Sequence, residues 1–84
     1  MNLEHQVNTI STRKDFVAFV RSLSDSLRGS PNDWENTDLE RFLDALAAWV
    51  QDMDGYFKNR GESPPQAPDW KLVGQMLLAA SIYE

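Results

Sequence analysis

The sequence predicts an all-α protein, a three-helix bundle with a loose N-terminal arm. Three observations carry this. Large apolar residues recur at three- and four-residue intervals in three separate stretches. Each stretch opens on a Thr or Asp of helix-capping type, and the segments between them are rich in Gly and Pro.

Residues 1–11 hold only isolated Leu3, Val7 and Ile10 and sustain no period, so they read as a loose arm free to lie on the bundle. Residues 12–84 form the single helical domain. Its first helix spans about 13–28: Thr12 and Asp15 stand at capping-box spacing. Phe16, Val20, Leu23 and Leu27 then recur at intervals of four, three and four, with Val17 and Phe19 widening the stripe. Gly29-Ser30-Pro31 ends it, because glycine suits a left-handed cap and proline removes a backbone donor.

The stretch SPNDWEN is a loop whose one large apolar residue is Trp34. Thr37-Asp38-Leu39-Glu40 fits a full capping box with Thr37 as the cap, and opens a helix over about 38–60. Leu39, Phe42, Leu43, Leu46, Trp49, Val50, Met53 and Phe57 make its apolar face. Gly55 costs about 1 kcal/mol against alanine in a helix interior, yet the better stop is Gly61. GESPPQAPDW is non-helical because three of its ten residues are proline. Asp69 then caps a last helix over about 70–82, with Trp70, Val73, Met76, Leu77, Ala80 and Tyr83 at helical spacing.

Composition narrows the function. Eighty-four residues, 42% hydrophobic and 25% charged, make one ordinary globular domain. No run approaches the roughly 20 apolar residues of a membrane span, and MNLEHQVNTIS lacks the basic and apolar regions of a signal peptide. The absence of cysteine excludes disulfides and cysteine-held zinc and suits a cytoplasmic setting. A net charge of −5, with basic residues scattered, argues against nucleic acid, whose binding draws on a basic stripe. The acids instead gather in mid-chain: Asp33, Glu35, Asp38, Glu40, Asp44, Asp52 and Asp54 face one base, Arg41.

No catalytic constellation emerges. Asp52-Met53-Asp54 could hold a hard cation in a loop, but on a helix positions i and i+2 diverge by about 200°. As the start of an EF-hand it has Phe57 and Ser63 where Gly and Glu are needed. His5, the one histidine, stands in the arm with no assignable partner. Ser11-Thr12-Arg13-Lys14 matches Ser-x-x-Lys only as a string, where helix capping explains the hydroxyls. Glu40 and Asp44 share a helix face, but no neighbouring Glu or His completes a two-metal site. Pro65 and Pro68 fit P-x-x-P once, and a linker explains them better. No catalytic residue, cofactor or metal ligand is therefore assigned.

The aromatic residues are more informative. Trp49 lies on the apolar stripe and belongs to the core. Trp34 and Trp70 border the two loops. They either clamp those loops to the bundle, stacking on prolines, or stand out as anchors for a partner, as tryptophan often does at binding hot spots. Tyr56 and Tyr83 carry the same two readings.

Residues 34–84 also show a longer pattern: Trp34-Glu35-Asn36, Phe42-Leu43, Trp49, Asp52-Met53-Asp54-Gly55-Tyr56, Asn59, Pro65, Pro68, Trp70 and the end from Ala79 to Glu84. This pattern resembles a family of small acidic bacterial proteins of unassigned function, over roughly residues 12–84. The resemblance implies no catalytic residues. It does single out polar pieces, Glu35-Asn36, Asp52, Asp54 and Asn59, which suggest a polar surface or buried network beyond simple packing. The family's usual second tyrosine is Phe57 here.

The expectation is a small non-enzymatic, cytoplasmic interaction module that binds a protein, in one form a basic one, through an acidic face bordered by aromatics. Trp34, Glu35, Asp38, Asp52, Asp54, Tyr56 and Trp70 are its candidate contact residues. An immunity- or antitoxin-like protein is one concrete form, since clustered acids speed encounter with a basic target. The alternatives are a small-molecule or metal-binding module with a pocket near Trp34, Tyr56 and Trp70, or a structural subunit of a homo-oligomer.

Overall fold

The computed structural model describes residues 2–83. The described residues form α1 (Leu3–Asn8), α2 (Arg13–Gly29), a 3₁₀ turn at Pro31–Asp33, α3 (Leu39–Asn59) and α4 (Trp70–Ile82), with no strand among them. The fold is all-α, as the periodicity predicts.

The arm differs from the expectation. Residues 3–8 are helical, with Asn2 Oδ1 accepting from the His5 backbone N–H at 3.0 Å, and both Val7 and Ile10 are buried. A six-residue helix is far too short to be stable alone, so burial holds it. The dock is Gly74 of α4. A Cβ at that position would stand 2.7 Å from Ile10 Cδ1 and 3.2 Å from Val7 Cγ2, so any side chain there would push these two apolar side chains away from α4. The loose arm is therefore a packed element.

In α2 the capping box closes. Thr12 Oγ1 accepts from Asp15 N–H at 3.1 Å, and Asp15 Oδ2 accepts from the backbone N–H of Ser11 at 3.1 Å and of Thr12 at 3.3 Å. Phe19, with no exposed surface, and Leu23 face inward and meet Val7 and Ile10. Val17 lies outside the stripe, exposed.

Asp38, not Thr37, caps α3: its Oδ1 accepts from Arg41 N–H at 2.8 Å. A carboxylate is at least as good an acceptor there as a hydroxyl and adds charge favourable to the helix N-terminus. The helix runs through Gly55 and stops at Gly61, whose φ of 71° is the left-handed conformation. Glu62 N–H donates to Phe57 O at 2.9 Å and Gly61 N–H to Lys58 O at 3.0 Å, the paired bonds of a Schellman ending. Asp69 caps α4 through Leu72 N–H at 2.7 Å.

Helix α4 sits at the centre. It packs on α3 to one side and on α1 and α2 to the other, while α2 and α3 share little contact. Its apolar residues lie on almost every side, as a helix enclosed by neighbours requires. It is also much shorter than α3. At about 1.5 Å per residue, 13 residues reach about 20 Å and 21 residues about 32 Å. Tyr83, which follows α4, lines a small cleft with Arg41, Asp44, Ala45 and Ala48, so α4 ends beside the second and third turns of α3 and the first turn runs beyond it. Leu39, in the first turn, is 71% exposed, and Leu43, on the side of α3 turned away from buried Ala45 and Trp49, is 51% exposed, although the sequence places both on the buried face.

Candidate functional site

The polar group that ties the end of α4 to the loop before α3 is Asn36. It is buried, and its side-chain amide donates to Ala80 O at 3.0 Å and to Tyr83 O at 2.7 Å. The backbone N–H groups of Glu35 and Asn36 both donate to Ser81 O, at 2.9 and 3.1 Å. A helix leaves its final carbonyls unpaired, and these four bonds reach Ala80 O and Ser81 O of α4 and Tyr83 O just beyond it. Tyr83 O–H donates to Asp52 Oδ2 at 2.7 Å. This bond, which ionisation would break, is the main cause that raises the Tyr83 phenol above its ordinary value.

Trp34 closes the same junction. Its Nε1–H donates to Ser26 Oγ of α2 at 3.2 Å, and its ring stacks on Phe42 of α3 at 6.1 Å between centroids. The loop clamp expected of Trp34 thus exists, with phenylalanine rather than proline beneath the ring. Trp70, at the start of α4, leans on Phe16 at 5.3 Å and keeps 42% of its surface exposed.

Beside this junction an open groove of about 1070 Å³ runs along Gln75, Leu78, Ala79 and Ile82 of α4. Leu3 and Val7 of α1 flank it, as do Trp49, Tyr56 and Arg60 of α3, with Trp34 and Asp33 at one end. Tyr56 is fixed there: its ring packs edge-on against Trp49 and Phe57, and its hydroxyl accepts from Arg60 Nη1 at 3.1 Å. Arg60 also pairs with Glu62 at 2.9 Å.

The seven candidate contact residues do not share one surface. Trp34 and Tyr56 line the groove; Trp70 does not. Trp70 begins α4 and Trp34 lies by its end, so the helix separates them by about 18 Å. Glu35 and Asp38 flank Arg41, each at 3.9 Å, and Arg41 also donates to Glu35 O at 2.9 Å. Asp52 is bonded to Tyr83. Asp54 diverges from Asp52 around α3 and is exposed. Among the described residues no three His, Cys, Asp or Glu side chains gather as metal ligands would.

What sequence reasoning missed is the outer side of α3. Leu39 and Leu43, one turn apart, stand exposed beside Glu40 and Asp44, with Asp54 exposed about 16 Å further along the helix. None of these three acids forms an ion pair within the described residues. The signal was available: α3 is predicted far longer than α4, so part of its apolar face had to remain uncovered.

The fold and this arrangement define a small helical-bundle protein with an open, acid-edged helix face. The chain belongs to a family of unknown function (DUF7660), whose sequence profile matches residues 12–84. The match begins at the cap of α2 and leaves α1 outside it. No curated protein and no solved structure matches the chain.

Proposed function

We propose that this chain is a small non-enzymatic interaction module that docks a basic protein on the outer side of α3. The observation that carries the reading is the pair Leu39 and Leu43, exposed on α3 next to Glu40 and Asp44, with Asp54 about 16 Å further along. Exposed leucines on a short domain are costly to leave in water, at about 25 cal/mol per Å² of apolar surface, and a partner that covers them recovers that term. The acids select the sign of the partner and speed its approach. In this reading leucines take the place of the aromatic border of Trp34, Tyr56 and Trp70: Trp34 and Tyr56 line the groove, and Trp70 stands at the start of α4 against Phe16.

An immunity- or antitoxin-like protein of the cytoplasm is one form this module takes, since such proteins cover electropositive sites. No helix among the described residues is long and apolar enough to cross a membrane.

The test is capture of the partner from cells that make the chain, followed by titration of the purified pair. The affinity should fall by about tenfold or more between low and high salt, and the Glu40→Gln, Asp44→Asn, Asp54→Asn triple variant should flatten that dependence. A complex indifferent to salt and to the triple variant contradicts the proposal.

A further inference from the structure

On the reading that α3 docks a protein, we infer that the occupant is an amphipathic helix whose apolar stripe is bordered by Lys or Arg, laid along the outer side of α3. Leu39, Leu43, Leu46, Val50 and Met53 recur at intervals of four, three, four and three. That spacing keeps one seam on a helix and is the spacing into which a second helix interleaves its own side chains. Leu39 and Leu43 are exposed, and Leu46, Val50 and Met53 are half-buried, so α4 leaves the seam incompletely covered along its length.

Helical geometry puts Glu40, Ala47 and Asp54 on the edge of this seam away from Trp49 and Tyr56, with Asp44 one row behind. Ala47 is exposed and small, which allows a close backbone approach between the two acids. Arg41 and Lys58 are the bases of α3. Arg41 points to Glu35 and Asp38, and Lys58 lies past the end of the open stretch. The edge is therefore acidic where a partner's flanking residues would rest. A second copy of the chain fits poorly. In the antiparallel pairing centred on Ala47, Glu40 of one copy would meet Asp54 of the other, and like charges across such a seam oppose association.

The test uses three synthetic helical peptides of about 16 residues, the length that spans residues 39–54. One has leucines at 4-3-4-3 spacing with lysine edges, one has the same leucines with glutamate edges, and one is a scramble of the first. The lysine-edged peptide should bind about tenfold or more tighter than the glutamate-edged one and shift amide resonances at residues 39–54. Leu39→Ser/Leu43→Ser, which alters only exposed side chains, should abolish that binding with the helical circular dichroism unchanged. Equal binding of the lysine-edged peptide and its scramble, or resonance shifts confined to the groove by Tyr56, overturns the inference. So does dimerisation of the chain through Leu39 and Leu43. If the lysine-edged peptide fails while salt-sensitive capture of the native partner still depends on Leu39 and Leu43, the docking function stands and only the helical occupant falls.

Discussion

Asn36 shows how much of the fold rests on one amide. Its two N–H bonds and the backbone bonds beside it hold the end of α4, and its removal strands the buried Ala80 O, at about 1–3 kcal/mol, and the part-buried Tyr83 O. Asn36→Ala should lower the unfolding free energy by about 2–3 kcal/mol. Asn36→Asp should cost more at neutral pH, because a carboxylate would face two carbonyl oxygens and donate to neither; urea titration of both variants checks the order. The Tyr83–Asp52 bond yields a spectroscopic counterpart. Tyr83 is held above its ordinary value of about 10, so its protonated form is favoured in the fold. The stability it lends is present below the unfolded value and is lost as pH rises through the folded one. Asp52→Asn should move the Tyr83 absorbance titration back towards that of a free tyrosine. Asp15 works in the opposite direction. Bonds from Ser11 and Thr12 hold it low, so its contribution is present above the ordinary carboxylate range and is lost as pH falls below it. The residues of this network were visible in the sequence as the WEN and Asp52 pieces of a motif. Their roles were not, because Asn36 bonds to carbonyls 44 and 47 residues away.

At the level of the elements, the three long helices were legible because each offers several turns of apolar spacing and a cap. The short α1 was not, since Leu3 and Val7 make a single interval and a dock on Gly74 leaves no local mark. Gly74→Leu should drive α1 off α4 and destabilise the protein by about 1–3 kcal/mol, the usual cost of overfilling a packed site. Hydrogen exchange should then rise at residues 3–10 and stay slow in the middle of α3. The start of α3 gives a second check. The sequence offers Thr37 and Asp38 as adjacent caps, and the structure uses Asp38. Asp38→Ala should therefore cost about 1 kcal/mol and Thr37→Ala far less, read by thermal unfolding.

For the whole molecule, the architecture follows from one comparison of lengths. A central α4 of 13 residues cannot cover an α3 of 21, so the leading part of α3 keeps apolar and acidic side chains in water. The sequence pointed to a shared core but not to which helix occupies its centre. The available clue was that α4 is apolar on more than one side, whereas α2 carries a single stripe. The acidic mid-chain was equally plain. Its division between Arg41, Tyr83 and open water required the fold, because positions two apart on α3, such as Asp52 and Asp54, face different surroundings. The proposed docking face depends on this: Leu39 and Leu43 must serve a partner and not the core. The most direct measurement is a paired one on Leu39→Ser/Leu43→Ser, recording thermal unfolding and capture of the native partner together. The midpoint should stay within about 2 °C of the parent, since a core loss of 1 kcal/mol moves a domain this size by about 4–8 °C, while the partner is lost. A midpoint lowered by about 5 °C or more, or a partner retained in full, would show that these leucines belong to the interior or to nothing at all.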